Sequence, residues 1–240
     1  VQGQIERALQ VVADSPVTVH CAGRTDTGVS ATGQVFHFDT YAVRSERNWL
    51  LGGNANLPAT IRLQWARDIS GEFHARFSAQ ARRYRYLIHD AELPSALYRL
   101  GITHVRATLR HGAMHQAAQH LLGEQDFSTF RAASCQSRTA MRCVNAVAVY
   151  RTGQLVVIDI EANAFLHHMV RNIAGALIAV GRGELSIQAI AELLAGRDRR
   201  LAPPTAPAAG LYLVQVRYPA YPQVPQQDTV PVFLADGGGR

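Results

Sequence analysis

A mixed α/β (α+β) architecture follows from two features of the sequence. Short runs of alternating apolar residues, as strands require, are interleaved with apolar stripes at helical spacing. The same mixture recurs in both halves of the chain, which predicts two broadly similar halves rather than separate all-α and all-β regions. With 48% apolar and 18% charged residues over 240 positions, the chain can bury a substantial globular core.

Val1, Ile5, Ala8, Leu9 and Val12 fall on one face at helical spacing, and Pro16 closes that opening helix. Val17, Val19 and Cys21 then alternate as a strand, a Gly- and Thr-rich loop runs from Gly23 to Gly33, and 34–38 read as a second strand. Ser45 is placed to cap a short helix around Trp49 to Leu51. Ile61, Leu63 and Trp65 alternate again, as do Tyr84, Tyr86 and Ile88. Further on, Met114, Ala117, Ala118, Leu121 and Leu122 form a helical stripe that stops at Gly123. Residues 144–150 and 155–160 flank a turn at Gly153 and predict a β-hairpin. Leu166, Met169, Val170, Ile173 and Leu177 predict a longer helix ending near Gly181, and 186–195 another, stopped by Gly196. The Pro/Ala segment 202–209 leads into a last strand at 211–216. Residues 1–78 are therefore read as an N-terminal α/β half and 79–218 as a C-terminal α/β half. Residues 219–240, with repeated prolines and Gly237-Gly238-Gly239, are read as an irregular, mobile tail.

Composition narrows the function. No apolar run approaches the ~18 residues of a membrane-spanning helix, and the first residues show no export signal. Cys21, Cys135 and Cys143 form no CxxC pair, which suggests reduced thiols in a cytoplasmic protein and no structural zinc. The net charge of +6 favours an anionic partner such as nucleic acid. All 24 basic residues are arginine, so chemistries that need a lysine, the phosphate-binding P-loop and the pyridoxal Schiff base, are excluded.

The chemistry points to Gly23-Arg24-Thr25-Asp26-Thr27-Gly28-Val29, where one carboxylate lies between threonines and glycines just past a strand end. Glycines let the backbone approach a ligand, and hydroxyls and amides fix the carboxylate rotamer. The bland alternative is an Asp that caps its own turn. Asp26-Thr27-Gly28 also matches the aspartic-protease tripeptide, but that dyad needs two copies and the sequence has one. A phosphoryl-accepting Asp would want a second Asp where Gly28 stands.

Residues 22–35 resemble the central motif of the TruA family of tRNA pseudouridine synthases, which runs roughly G-R-T-D-x-G-V-H-A-x-x-Q-V. The resemblance continues in order through Asn54-Ala55-Asn56-Leu57-Pro58, Phe73-His74-Ala75-Arg76-Phe77-Ser78 and Arg82-Arg83-Tyr84-Arg85-Tyr86. It extends through Asp126-Phe127-Ser128-Thr129-Phe130-Arg131, Phe165-Leu166-His167-His168-Met169-Val170-Arg171-Asn172 and Gly210-Leu211-Tyr212-Leu213. Two departures stand out. Ser30 replaces the family's usual His, and the sequence starts at the family's first helix, so the family's opening strand and its RNA contacts lie outside it.

The resemblance implies a pseudouridine synthase fold with a central, mainly antiparallel sheet and two similar halves flanking a cleft. It implies a homodimer acting on tRNA, with uridines of the anticodon stem-loop, at about positions 38 to 40, flipped out to react. Asp26 matches the catalytic carboxylate. Tyr84 matches an active-site tyrosine that stacks on the target base, Arg171 an arginine that pairs with Asp26, and Arg24 a residue that reaches toward the flipped nucleotide. No metal and no organic cofactor is implied. His167-His168 are read as RNA contact or packing, since adjacent residues do not share a helix face as i, i+4 metal ligands do. The Arg82-Arg83-x-Arg85 run with its tyrosines is read as a basic, stacking RNA surface. The rival reading is a non-catalytic tRNA-binding protein of the same fold.

Overall fold

The computed structural model describes residues 1–69, 71–226, 228, 229, 231 and 234. In chain order the elements are α1 (Gln2–Ala13), β1 (His20–Cys21), β2 (Ser30–Ala31), β3 (Phe36–His37), α2 (Glu46–Asn56), β4 (Ala81–Asp90), β5 (Thr103–Val105) and α3 (His111–Ala118). They continue with β6 (Gly123–Asp126), β7 (Met141–Thr152), β8 (Leu155–Ala162), α4 (Met169–Arg182), α5 (Ala189–Gly196) and β9 (Leu211–Arg217). The chain forms two compact units. The first comprises 1–24, 34–79 and 218–226, and the second 25–33, 80–217 and 227–240.

In the first unit, α1 and α2 pack through a core that includes Ile5, Ala8, Leu9, Val17, Val19 and Trp49. Ser45 caps α2, its Oγ accepting the Asn48 N–H at 3.2 Å. The strand expected from Ile61 to Trp65 is absent. Instead the Asn54 side chain stands in for a neighbouring strand, donating to Leu63 O at 2.9 Å and accepting from Leu63 N–H at 2.8 Å. That amide satisfies the backbone groups a sheet would have paired. The strand predicted from Val17 is likewise shorter, reduced to β1, which pairs antiparallel with β3.

The second unit is built on a seven-stranded sheet in the order β2-β9-β4-β8-β7-β6, with β5 beside the far end of β4. Only β2–β9 and β4–β5 are parallel; the other pairings are antiparallel. Along β4 the side chains alternate between two faces, as the strand period requires. Tyr84, Tyr86 and Ile88 join the main core with α3, α4 and α5, whereas Leu87 lies in a second cluster with Val157, Tyr212 and Val214.

This alternation corrects the reading of the arginine run. Arg83 and Arg85 point away from the tyrosines into an ion-pair network: Arg83 Nε is 2.7 Å from Asp159 Oδ1, and Arg85 Nε 2.9 Å from Asp159 Oδ2. Asp228 of the tail joins them, 2.6 Å from Arg85 Nη2 and 3.1 Å from Arg83 Nη1. Arg85 is buried, so these two side chains serve the sheet rather than an RNA surface. The tail also differs from expectation where it is described. Val224 is buried, Thr229 Oγ1 donates to Val214 O at 2.7 Å, and Leu234 packs on the Leu87 cluster. Gly237 to Gly239 lie outside the described residues.

The segment 25–33 was expected in the N-terminal half, but it packs with the second unit. Ser30 and Ala31 lie opposite Tyr212 and Leu213, and the N–H groups of Thr32 and Gly33 both donate to Leu213 O at 3.0 Å. Parallel pairing with β9 thus anchors the loop that carries Asp26.

Candidate active site

Asp26 sits in a tight turn just ahead of β2. Its carbonyl accepts the Val29 N–H at 3.0 Å, and the chain reverses through Gly28 at φ +85. A Cβ on Gly28 would come within 3.2 Å of the Ala208 Cβ, so the turn is seated closely on the Pro/Ala segment. Glycine is needed here because other residues rarely adopt that backbone conformation.

The same segment holds Arg171, in the first turn of α4. Its Nε donates to Ala206 O at 2.9 Å, while the Ala206 N–H donates to Arg171 O at 3.1 Å. Asn172, fully buried, accepts from Thr205 Oγ1 at 2.6 Å and from Arg199 Nη2 at 3.2 Å, bracing the segment from beneath. So fixed, Arg171 Nη1 donates to Asp26 Oδ2 at 2.9 Å. The two side chains are 16% and 22% exposed, shielded enough to strengthen the pair yet still open to a substrate.

Two histidines complete the cluster. His167 Nε2 is 3.3 Å from Asp26 Oδ1, and His168 Nε2 is 3.2 Å from Asp26 Oδ2. Both rings address the carboxylate, a placement that the expectation of packing or RNA contact did not include. Their adjacency is no obstacle because His168, immediately before α4, has the left-handed backbone φ 61, ψ 4, which brings the two rings to a centroid separation of 4.0 Å. Burial pushes the His168 imidazole below its ordinary value; Asp26 pulls it up, while His167, Arg171 and Arg199 add to the lowering.

Asp26, His167 and His168 offer ligand atoms within 4.8 Å of one another, a metal-like spacing. The donor set fits a metal poorly, because an ion sharing Oδ2 would meet the fixed guanidinium of Arg171 at 2.9 Å from that oxygen. The imidazoles instead lie beside the carboxylate at ion-pair distance, 3.3 and 3.2 Å from its two oxygens.

Tyr84 is partly buried, and its ring meets Phe165 edge-on at 5.0 Å, two residues before His167. Tyr86 is structural: fully buried, it donates to Pro207 O at 2.9 Å and lies 2.6 Å from Thr103 Oγ1. Burial raises its phenol pKa well above the ordinary value, so it stays a neutral anchor. Arg24 is exposed and belongs to the first unit.

A family model described as tRNA pseudouridine synthase matches residues 117–219. Over 234 residues the chain is 56% identical to tRNA pseudouridine synthase A of Pasteurella multocida (strain Pm70), covering 98% of this chain and 89% of that protein. The chain belongs to the tRNA pseudouridine synthase A family. Its similarity to the tRNA pseudouridine synthase A of Shewanella pealeana (strain ATCC 700345 / ANG-SQ1) is 53% over 236 residues, with 98% and 90% of the two chains covered. For that of Actinobacillus pleuropneumoniae serotype 3 (strain JL03) it is 55% over 236 residues, with the same coverage. The mixed α/β fold with its mainly antiparallel central sheet is the one this pseudouridine synthase family implies. No helix among the described residues is long and apolar enough to cross a membrane.

What sequence reasoning missed in this tRNA pseudouridine synthase A relative is the role of the two histidines. Helical spacing could not have revealed it, because both rings precede α4 and their convergence depends on the left-handed backbone of His168. The support that Ala206 gives through its backbone left no trace in side-chain type.

Proposed function

We propose that this chain isomerises uridine to pseudouridine in tRNA, with Asp26 as the catalytic carboxylate. The observation that carries the reading is a single carboxylate held by an arginine fork and two imidazoles, in a chain of this family. In the reaction the N1–C1′ bond breaks, the freed uracil turns, and a C5–C1′ bond forms; C5 gives up a proton and N1 gains one. Asp26 supplies the negative oxygen that stabilises or covalently captures the electron-poor intermediate. Nothing is oxidised and no group is added, so the residues need neither a metal nor an organic cofactor.

Arg171 orients Asp26 through its charge-assisted hydrogen bond to Oδ2. Tyr84 offers a ring on which the extruded base stacks, and Arg24 reaches toward the flipped nucleotide. The targets are uridines of the anticodon stem-loop, at about positions 38 to 40, each leaving its stack to react. The working form is a homodimer in the cytoplasm, where tRNA and three unpaired cysteines are both at home.

The test is direct. The purified chain is incubated with unmodified tRNA and pseudouridine is quantified at each anticodon-arm position. Formation by the wild type and none by Asp26→Asn supports the reading. Tight tRNA binding with no pseudouridine would make the chain a non-catalytic tRNA binder instead.

A further inference from the structure

The ion pair with Arg171 fixes only one oxygen of Asp26 and leaves the carboxylate free to pivot about it. The neighbouring rings remove that freedom, since His167 addresses Oδ1 and His168 shares Oδ2 with the guanidinium. We propose that His167 and His168 are positioning residues for the isomerisation, their Nε2 atoms and the Arg171 guanidinium forming a three-point cradle that confines both carboxylate oxygens in the attacking orientation. This rests on Asp26 being the catalytic carboxylate.

Three independent features support it. First, His168 is one of only three non-glycine residues with positive φ among the described residues, and the other two, Asp14 and Arg197, are helix C-caps, where that conformation is common. His168 stands at a helix start, where no capping rule asks for it, and it carries a bulky ring. Strain of this kind persists when the surroundings hold it, and it concentrates at functional sites.

Second, the ring of His167 is clamped from behind. Its Nδ1 is 3.0 Å from Ser134 Oγ, its backbone N–H donates to Cys135 Sγ at 3.4 Å, and its carbonyl accepts the Ala132 N–H at 3.0 Å. A Ser134 hydroxyl donating to Nδ1 places the imidazole proton on Nε2, the atom that faces Asp26. Third, burial lowers the His168 pKa, which keeps that ring uncharged at neutral pH. An uncharged donor orients a carboxylate without neutralising it, whereas a second cation would blunt the nucleophile.

The left-handed backbone supplies a test that separates positioning from packing. Glycine is at ease at φ 61, so His168→Gly removes the ring while relaxing the chain. The expected result is a thermal midpoint equal to or above wild type, an unchanged KM for tRNA, and kcat reduced roughly ten-fold, about 1.4 kcal/mol of lost positioning. His168→Asn, which tolerates the same backbone and retains an amide donor, should recover part of that loss. At the other ring, His167→Gln should keep more kcat than His167→Leu at equal stability.

Wild-type kcat in His168→Gly overturns the proposal. So does a kcat loss that merely follows a lowered midpoint, or a raised KM at unchanged kcat, which would make the ring an RNA contact. Asp26→Asn run in parallel keeps the two readings apart. If it stays active, the assignment of Asp26 fails; if it is dead while His168→Gly is fully active, only the cradle fails.

Discussion

Both oxygens of Asp26 are engaged, one by His167 and the other by His168 and Arg171, so its chemistry depends on donor geometry as much as on charge. Asp26→Asn keeps the shape but replaces the negative oxygen with an amide. It should abolish pseudouridine formation while tRNA affinity changes by no more than about two-fold; substantial turnover would refute the catalytic assignment. Arg171→Lys tests the fork itself. A lysine keeps the charge but cannot contact Asp26 and Ala206 O together with the rigid spacing of Nη1 and Nε. We expect kcat to fall by about ten-fold or more with little change in KM, as measured by single-turnover kinetics at saturating tRNA. At this scale the sequence was legible where side-chain type carries the meaning, as at Asp26 and Arg171. It was opaque where backbone conformation does: nothing in the letters His167-His168 announces a left-handed residue that converges two rings on one carboxylate.

Between α4 and β9, the segment from Pro204 to Gly210 is irregular, yet both halves of the ion pair rest on it: Arg171 through Ala206, and the Asp26 turn through the contact of Gly28 with Ala208. Tyr86 fixes its middle, at Pro207, from within the sheet. Gly210 closes it at φ +92, where an added Cβ would lie 2.6 Å from Leu87 O and 2.9 Å from Thr103 N. Those are backbone atoms of two strands and cannot give way. Gly210→Ala should therefore cost on the order of 3 kcal/mol or more. That lowers the thermal midpoint by roughly 6–12 °C, and a calorimetric change under about 2 °C would contradict it. Helices and the 144–160 hairpin were readable because their periodicity reports local geometry directly. The Ile61-Leu63-Trp65 alternation misled because a side chain, Asn54, satisfied the backbone that a strand would have satisfied. The arginine run misled for a related reason: alternation turned Arg83 and Arg85 toward Asp159 and Asp228, partners distant in sequence.

For the molecule as a whole, charge is the first lever. The net +6 is carried by arginines, which release counterions when they meet RNA phosphates. Filter binding between 50 and 200 mM salt should show tRNA affinity falling by about ten-fold or more; constant affinity would exclude a phosphate-tracking surface. Acidity is the second. Burial lowers the pKa of both His37 and His168, with neighbouring imidazoles adding to the effect in each case. As pH falls, the unfolded chain takes up these protons first, at its ordinary value of about 6.5. The stability these two groups contribute is therefore complete above about pH 6.5 and is lost as the pH falls through their folded-state values. Thermal midpoints should decline from pH 7.5 to 5, and His37→Gln should flatten that decline; a midpoint that rises on acidification would contradict it.

The parallel pairing of β2 with β9 has a consequence for how the protein is born. Residue 30 leaves the ribosome long before residue 212, its partner in the sheet. At ~5–20 residues per second, the Asp26 loop must wait on the order of ten seconds or more for the strand that seats it. Arg171 and Ala206 also emerge late, so a nascent chain that stops short of β9 lacks the strand that seats the carboxylate loop. The catalytic geometry is thereby coupled to synthesis of β9, and a polypeptide released before it carries the motif without the strand that seats it.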